Sequence, residues 1–126
     1  MAAAYSTTED GFETQFGVGH LGHFLFTNLL LEGGKINSGG KIINVSSSGH
    51  KSGGVRFDDP GFSGGEKYEK WAAYGQAKTA NMLFSVALAE RLKSKNIKSY
   101  SLHPGGKYIN CTVSGDVYIL FWCADW

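Results

Sequence analysis

Two short apolar segments separated by one long helical segment constrain the fold of this chain more than any other feature. The first, residues 41–46, is an Ile- and Val-rich strand pattern that is apolar on both faces, as expected of a central parallel strand. The second, residues 98–102, follows a helix pattern at about residues 69–95. Strand, helix and strand in this order predict an α/β unit with parallel strands and a right-handed crossover.

An earlier helix is predicted to run to about residue 31, with Thr7 or Thr8 as its N-cap. Glu9 and Asp10 would lie in its first turn, where the helix dipole favours acidic side chains. The helix at 69–95 is apolar most of the way round, which predicts burial by the sheet and by another helix or subunit. Residues 50–70 are glycine-rich and lack periodicity, and a loop of this length in a compact domain is usually functional or mobile.

The length and net charge of the chain limit the classes of protein to which it can belong. A chain of 126 residues with a net charge of +1 fits one domain and gives no reason to expect nucleic acid or an anionic membrane as a partner. Its two cysteines, Cys111 and Cys123, suit neither a tight redox pair nor a zinc site, so reduced thiols are expected. The N-terminus has no secretory pattern, and the apolar stretch at 117–123 is too short to span a bilayer. A cytoplasmic location is therefore expected.

A Tyr-x-x-x-Lys pair, Tyr74 and Lys78, lies on the predicted long helix, where four-residue spacing places both side chains on one face. The ammonium stabilises the phenolate of a nearby tyrosine, which lets the tyrosine exchange a proton. Alone, the pattern is weak, because a lysine often extends beside a packed aromatic ring. Here it follows a strand that ends in three serines, and a hydroxyl beside such a pair is what hydride transfer to or from a carbonyl requires.

The order and spacing of five segments resemble the short-chain dehydrogenase/reductase family, most closely its branch of retinol dehydrogenases, WW-domain-containing oxidoreductase and protochlorophyllide reductase. The segments are residues 8–13, 20–25, 44–47, 74–78 and 103–105. The resemblance implies a Rossmann-like, doubly wound parallel sheet that is incomplete, because the family's first βαβ units precede Met1. Residues 1–105 would be the C-terminal catalytic half of an NAD(P)-binding domain. Residues 106–126 would be a divergent tail, disordered or from an alternative exon, frameshift or intron read-through.

The resemblance also implies roles for individual residues. Ser47 would bind the carbonyl oxygen, with Ser46 and Ser48 as rivals. Tyr74 would be the general acid/base, and Lys78 would assist it and hold the nicotinamide ribose. The loop beside the nicotinamide would contain Pro104 and Gly105.

The cofactor implied by the resemblance is NAD or NADP, with the adenosine-binding half absent from this chain. The substrate would be a small alcohol or carbonyl compound, apolar in view of Phe57, Phe62 and Tyr68 in the loop at 50–70. The alternative is an inactive fragment that at most binds full-length relatives. In the family, helices matching residues 8–31 and 69–95 pack against a second subunit, so a homo- or hetero-oligomer through these helices is possible.

Three features complicate this interpretation. Residues 17–22 spell the dinucleotide fingerprint G-x-G-x-x-G, but they follow a helix pattern rather than a strand, so we interpret them as helical. Gly19 stands where the family has the asparagine of its catalytic tetrad, which leaves proton relay to water, His20 or Asn28. The four histidines, residues 20, 23, 50 and 103, have no carboxylate or cysteine at ligand spacing, so no metal site is predicted.

Overall fold

The computed structural model describes residues 2–104 in full and the backbone of residues 110–114 and 117–121. A π-helical turn (Gly17–Leu21) joins helix α1 (Thr14–Phe16) to helix α2 (Gly22–Glu32). The later elements are strand β1 (Lys41–Val45), helix α3 (Lys70–Arg91), and strands β2 (Lys98–His103), β3 (Asn110–Ser114) and β4 (Val117–Phe121). Short 3-10 turns occupy Ser48–Ser52, Ser63–Gly65 and Lys93–Lys95. Within these ranges no helix has the length and apolar character that a membrane crossing needs.

The strands form one sheet in the order β1-β2-β4-β3. Strands β1 and β2 are parallel, with Lys41 opposite Lys98 and Val45 opposite Leu102. Helix α3 lies between them in the chain, as a crossover connection requires. The prediction of an α/β fold with an incomplete sheet is confirmed. Strands β1, β2 and β4 are parallel as predicted, whereas β3 is antiparallel to β4.

Strand β1 is at the edge of this sheet, and its two faces differ. Ile42 and Asn44 are buried, whereas Lys41, Ile43 and Val45 are exposed. Helix α3 packs against β1 and β2 and accounts for the buried face. The expected burial of β1 on both faces is therefore wrong for the described part of the chain, because nothing described there covers the second face.

Helix α3 holds the sheet through two different kinds of contact. At its C-terminal end an apolar cluster contains Ile42, Phe84, Leu88, Leu92 and Ile97. Between residues 76 and 85 the helix also buries three polar side chains, those of Gln76, Asn81 and Ser85. The apolar cluster anchors the helix, and the buried polar side chains lie near the end of β1.

The first helix begins later than the expected N-cap at Thr7 or Thr8. Gly11 has φ +82°, and the Thr8 amide donates to the Phe12 carbonyl at 2.8 Å, so the segment before residue 13 is a closed turn. The carboxylate of Glu13 then caps the helix by accepting from the amides of Gln15 and Phe16, each at 2.8 Å. The prediction of a helix from residue 8 is wrong, because the turn at Gly11 interrupts it.

The other predicted boundaries are closer to those observed. Helix α3 is capped by the Glu69 carboxylate, which accepts from the Ala72 amide at 2.7 Å, and it ends at Arg91 rather than at residue 95. The sequence pattern predicts no element after residue 105, yet β3 and β4 lie there. The interpretation of residues 106–126 as a divergent tail stays a prediction. The side chain of Cys111, and all of Gly105 and Cys123, lie outside what the structure describes.

Candidate active site

The turn that follows β1 packs directly on the backbone of α3 because neither surface carries side chains at the contact. A Cβ atom on Gly53 would lie 2.5 Å from the Ala72 carbonyl oxygen, and one on Gly75 would lie 2.5 Å from the Gly53 nitrogen. The Thr79 hydroxyl secures the contact, within reach of the carbonyl oxygens of Gly53 at 2.7 Å and His50 at 3.2 Å. This close approach sets the position of the serines relative to α3.

Ser47 is the N-cap of the 3-10 turn, and its Oγ accepts from the Gly49 amide at 3.1 Å. The hydroxyl proton therefore remains available to another acceptor. A Cβ atom on Gly49 would lie 2.6 Å from Cε1 of Tyr74 and 3.4 Å from Oγ of Ser47. The structure thus brings Ser47 and Tyr74 together, with only the backbone of Gly49 between the hydroxyl and the ring.

The neighbouring serines have other positions. The Ser46 hydroxyl donates to the Lys78 carbonyl at 2.8 Å, and the residue is 5% exposed, so it ties the end of β1 to α3. Ser48 is the first residue of the 3-10 turn. The Ser47 hydroxyl lies beside Gly49 and the Tyr74 ring, whereas the Ser46 hydroxyl is committed to the backbone of α3.

Tyr74 and Lys78 share one face of α3, as their spacing predicts. Both are half-buried, and Nζ of Lys78 lies 5.6 Å from the centroid of the Tyr74 ring. The ammonium also donates to the Val45 carbonyl at 3.2 Å. The lysine is therefore held between the tyrosine and the last residue of β1.

The π-helical turn packs against the same face of α3 through glycine. A Cβ atom on Gly19 would lie 3.1 Å from the Cβ of Ala77, which is tighter than ordinary contact. The Asn81 side chain donates to the Gly19 carbonyl at 3.0 Å. Residues 17–22 are helical, so the interpretation of G-x-G-x-x-G as something other than a phosphate loop is confirmed.

A groove of about 430 Å³ runs between β1 and α2 and has Lys78 and Asn81 in its lining. The exposed edge and open face of β1 form one wall, and Gly19 lies on the other side. The Lys78 ammonium has protons to donate beyond its bond to Val45, which suits the hydroxyls of a ribose. These residues fit the nicotinamide ribose end of a dinucleotide. The glycine-rich segment between β1 and α3 is a long loop (residues 46–69) rather than the tight strand-to-helix turn of a pyrophosphate site.

Pro104 follows β2, whose C-terminal end lies beside that of β1 because the two strands are parallel. It is exposed at the same edge of the sheet as Ser47. The predicted partner in that loop, Gly105, lies outside the described residues.

The loop after the 3-10 turn is fixed by a buried amide of α3. Gln76 is fully buried, accepts from the Arg56 amide at 2.9 Å, and donates to the Pro60 carbonyl at 3.0 Å. Hydrogen bonds from Ser63 and Arg56 hold the pKa of the Asp59 carboxyl below its usual value. This loop is therefore ordered by its own contacts and by α3.

Of the three loop aromatics expected to line the substrate site, Phe62 and Tyr68 pack against each other, with ring centroids 5.6 Å apart. Phe62 is 1% exposed, with φ +55°, and the Arg56 guanidinium lies 4.8 Å from its ring centroid. Phe57 is 81% exposed. Tyr68 donates to the Ala3 carbonyl at 2.9 Å, and burial raises its pKa. Phe62 and Tyr68 therefore stabilise the loop, and only Phe57 is free to contact a ligand.

Comparison with known proteins confirms the family resemblance. Retinol dehydrogenase 12 of Mus musculus is 43% identical over 122 residues, which are 97% of this chain and 38% of that protein. Retinol dehydrogenase 13 of Homo sapiens is 49% identical over 105 residues, which are 83% of this chain and 31% of that protein. No family model matches the chain.

The crystal structure of an uncharacterized protein from Mycobacterium paratuberculosis has the same fold over 83% of this chain and 38% of its own, with a TM-score of 0.75 and 39% identity. The chain spans about a third of the length of the curated relatives it matches. The mouse alignment extends past residue 105, because it includes 122 of the 126 residues.

Proposed function

We propose that this homologue of the retinol dehydrogenases, a segment with the motifs of the short-chain dehydrogenase/reductase family, carries the catalytic half of an NAD(P)-dependent oxidoreductase. The reaction would interconvert an alcohol and a carbonyl by hydride transfer. The observation that supports it best is the approach of the Ser47 hydroxyl to the Tyr74 ring across Gly49, with the Lys78 ammonium on the next turn of the helix.

Each side chain has a distinct task in this proposal. The Ser47 hydroxyl donates to the substrate oxygen, where negative charge develops during reduction. Tyr74 gives its proton to that oxygen in reduction and takes it back in oxidation. The Lys78 ammonium favours the phenolate form of Tyr74 and binds the ribose hydroxyls. When bound, NAD(P) supplies or accepts the hydride.

The proton that passes through Tyr74 has to reach solvent without a side chain at Gly19. The Asn28 amide donates to the Phe24 carbonyl at 2.8 Å within its own helix. His20 Nδ1 is 2.9 Å from the Asn81 side-chain oxygen. Both alternatives to water are therefore committed elsewhere, and we assign the relay to water in the groove beside Lys78.

The test uses a chimera in which this chain replaces the matching segment of a full-length retinol dehydrogenase. In that protein Tyr74→Phe should abolish turnover, because phenylalanine keeps the packing and removes the exchangeable proton. Lys78→Met should be nearly as severe, and Ser47→Ala should lower kcat by about 10²–10³, the usual penalty for one oxyanion donor.

Tyr68→Phe is the matched control, because it removes a tyrosine hydroxyl of the adjacent loop. It should leave turnover within a few-fold of the parental value. If Tyr74→Phe retains parental activity on panels of apolar aldehydes and alcohols, the proposed mechanism is wrong.

A second candidate function is binding of a full-length relative, and one observation favours it. Helices α2 and α3 bound an apolar groove of about 560 Å³, whose walls include Phe24, Leu83 and Phe57. Leu83 and Phe24 are 50% and 43% exposed. Co-purification with a tagged retinol dehydrogenase should be lost with Leu83→Glu. It should be kept with Val18→Glu, an equivalent change outside the groove. Binding that survives Leu83→Glu would exclude this surface.

A further inference from the structure

Asn81 is a buried side chain that ties three parts of the site together. It is 4% exposed, and its Nδ2 donates to the carbonyls of Gly19 at 3.0 Å and Val45 at 3.2 Å. Its Oδ1 lies 2.9 Å from Nδ1 of His20. One amide on α3 therefore holds both the π-helical turn and the end of β1.

The partners of Asn81 determine the orientation of its amide. Two carbonyl oxygens need a donor, so the nitrogen faces them and the oxygen faces His20. His20 must then carry its proton on Nδ1. The imidazole is packed among the rings of Phe16, Phe24 and Phe84, with centroid distances of 5.4, 5.8 and 6.1 Å, and burial lowers its pKa. The neutral Nδ1–H tautomer follows from these contacts.

The Val45 carbonyl also accepts from the Lys78 ammonium at 3.2 Å. The oxygen that orients the lysine is thus held in place by Asn81, one helical turn further along α3. Gly19 cannot contribute a side chain at this point, but its carbonyl is fixed by the same amide.

We propose that Asn81 is a positioning residue that fixes the Val45 carbonyl against the Lys78 ammonium and the Gly19 carbonyl against α3, with His20 locked as the Nδ1–H tautomer. The inference rests on the proposed function, in which Lys78 assists Tyr74 and binds the ribose. Asn81 acts through these neighbours, because its side-chain nitrogen and oxygen are already committed to Gly19, Val45 and His20.

The first measurement needs no turnover. In the ¹⁵N-labelled 126-residue chain, the imidazole nitrogens of His20 should show one fixed Nδ1–H tautomer by long-range ¹H–¹⁵N correlation. Asn81→Leu should release it to the mixture of tautomers of a free imidazole. Asn81→Asp should retain the Nδ1–H tautomer, because a carboxylate still accepts from Nδ1. An Nε2–H tautomer in the parental chain, or an unchanged tautomer in Asn81→Leu, would overturn the proposal.

The second measurement, made in the chimera, distinguishes the donor function of the Asn81 amide nitrogen from the acceptor function of its oxygen. Asn81→Asp keeps the acceptor for His20 but loses the donor to Val45, so kcat should fall about tenfold in both Asn81→Asp and Asn81→Leu, with KM within about twofold. Ser85→Ala, a buried polar change on the next turn of α3, should leave kcat within about twofold.

Full kcat in Asn81→Asp would refute the positioning role even if the tautomer is as expected. A chimera that is inactive in every form would contradict the proposed function instead, and the His20 spectra would still decide whether Asn81 has the placement described.

Discussion

Gly49 provides the sharpest test of how the site is assembled. An added Cβ would lie 2.6 Å from Cε1 and 2.9 Å from Cδ1 of Tyr74. Ordinary contact begins at 3.4 Å, so the ring would have to retreat by about 0.8 Å, or the turn that carries Ser47 would have to lift by a similar distance. Either movement changes the position of the Tyr74 ring relative to the Ser47 hydroxyl.

A displacement of about 1 Å in a catalytic group costs about 10²-fold in rate, so Gly49→Ala should lower kcat of the chimera by about that factor. The change also overpacks the contact, so the free energy of unfolding should fall by about 1–3 kcal/mol. Steady-state turnover of an apolar aldehyde with NADPH or NADH measures the first quantity, and urea denaturation measures the second.

Gly54→Ala is the matched control, because nothing lies within 4 Å of a Cβ atom at that position. It adds the same methyl group five residues further along the chain and should leave both quantities close to parental. Parental kcat in a folded Gly49→Ala variant would show that the approach of Ser47 to Tyr74 across this glycine has no part in catalysis.

Three further outcomes are expected. Gly19→Asn should raise kcat of the chimera if the chain lacks a relay side chain. The gain should be larger when Ala77→Gly is added, because the new Cβ lies 3.1 Å from the Cβ of Ala77. No gain in either variant would show that the relay does not limit turnover. The 126-residue chain should bind NADH and NADPH more weakly than micromolar in isothermal titration, because its described residues fit only the ribose end; a micromolar Kd for either would contradict this. Burial lowers the His20 pKa below its ordinary 6.5 in the folded chain. As the pH drops through 6.5, the unfolded chain therefore binds a proton at His20 before the folded chain does, and the free energy of unfolding falls. Urea denaturation at about pH 7.5 and about pH 5.5 should show this loss, and His20→Asn should reduce it; an equal loss in the variant would mean that His20 is not its source.

The sequence predicts the parallel pair of strands and the helix between them because these elements have strong local patterns. The Ile–Val run of β1 and the twenty-two residues of α3 are specified by their own apolar spacing. The fixed spacing of Tyr74 and Lys78 on that helix is likewise a local property. None of these needs knowledge of a distant contact.

Features that depend on distant contacts escape prediction from the sequence. The burial of β1 on one face depends on which other elements cover the sheet, and the Ile–Val run carries no information on that point. The shift of the helix start to Thr14 depends on the turn at Gly11, which competes with the capping signal of Thr8.

The residues that assemble the site are also hard to recognise one at a time. Gly49, Gly53 and Gly75 look like ordinary loop and helix glycines until the turn and α3 are placed in contact. Asn81 looks like a polar residue in a helix until the Gly19 and Val45 carbonyls lie beside it. The sequence signal is that Gly75, Gln76 and Thr79 interrupt the apolar pattern of the helix between Tyr74 and Asn81.

The parallel pairing of β1 with β2 has a consequence for the order of events during synthesis. Lys41 pairs with Lys98, so 57 residues of chain separate the two partners. At about 5–20 residues per second a ribosome needs about 3–11 s to add that length. Throughout that interval β2, the strand described as the partner of β1, is still incomplete, and α3 is completed before it. Helix α3 can therefore cover Ile42 and Asn44 as the chain emerges, before β2 pairs with β1.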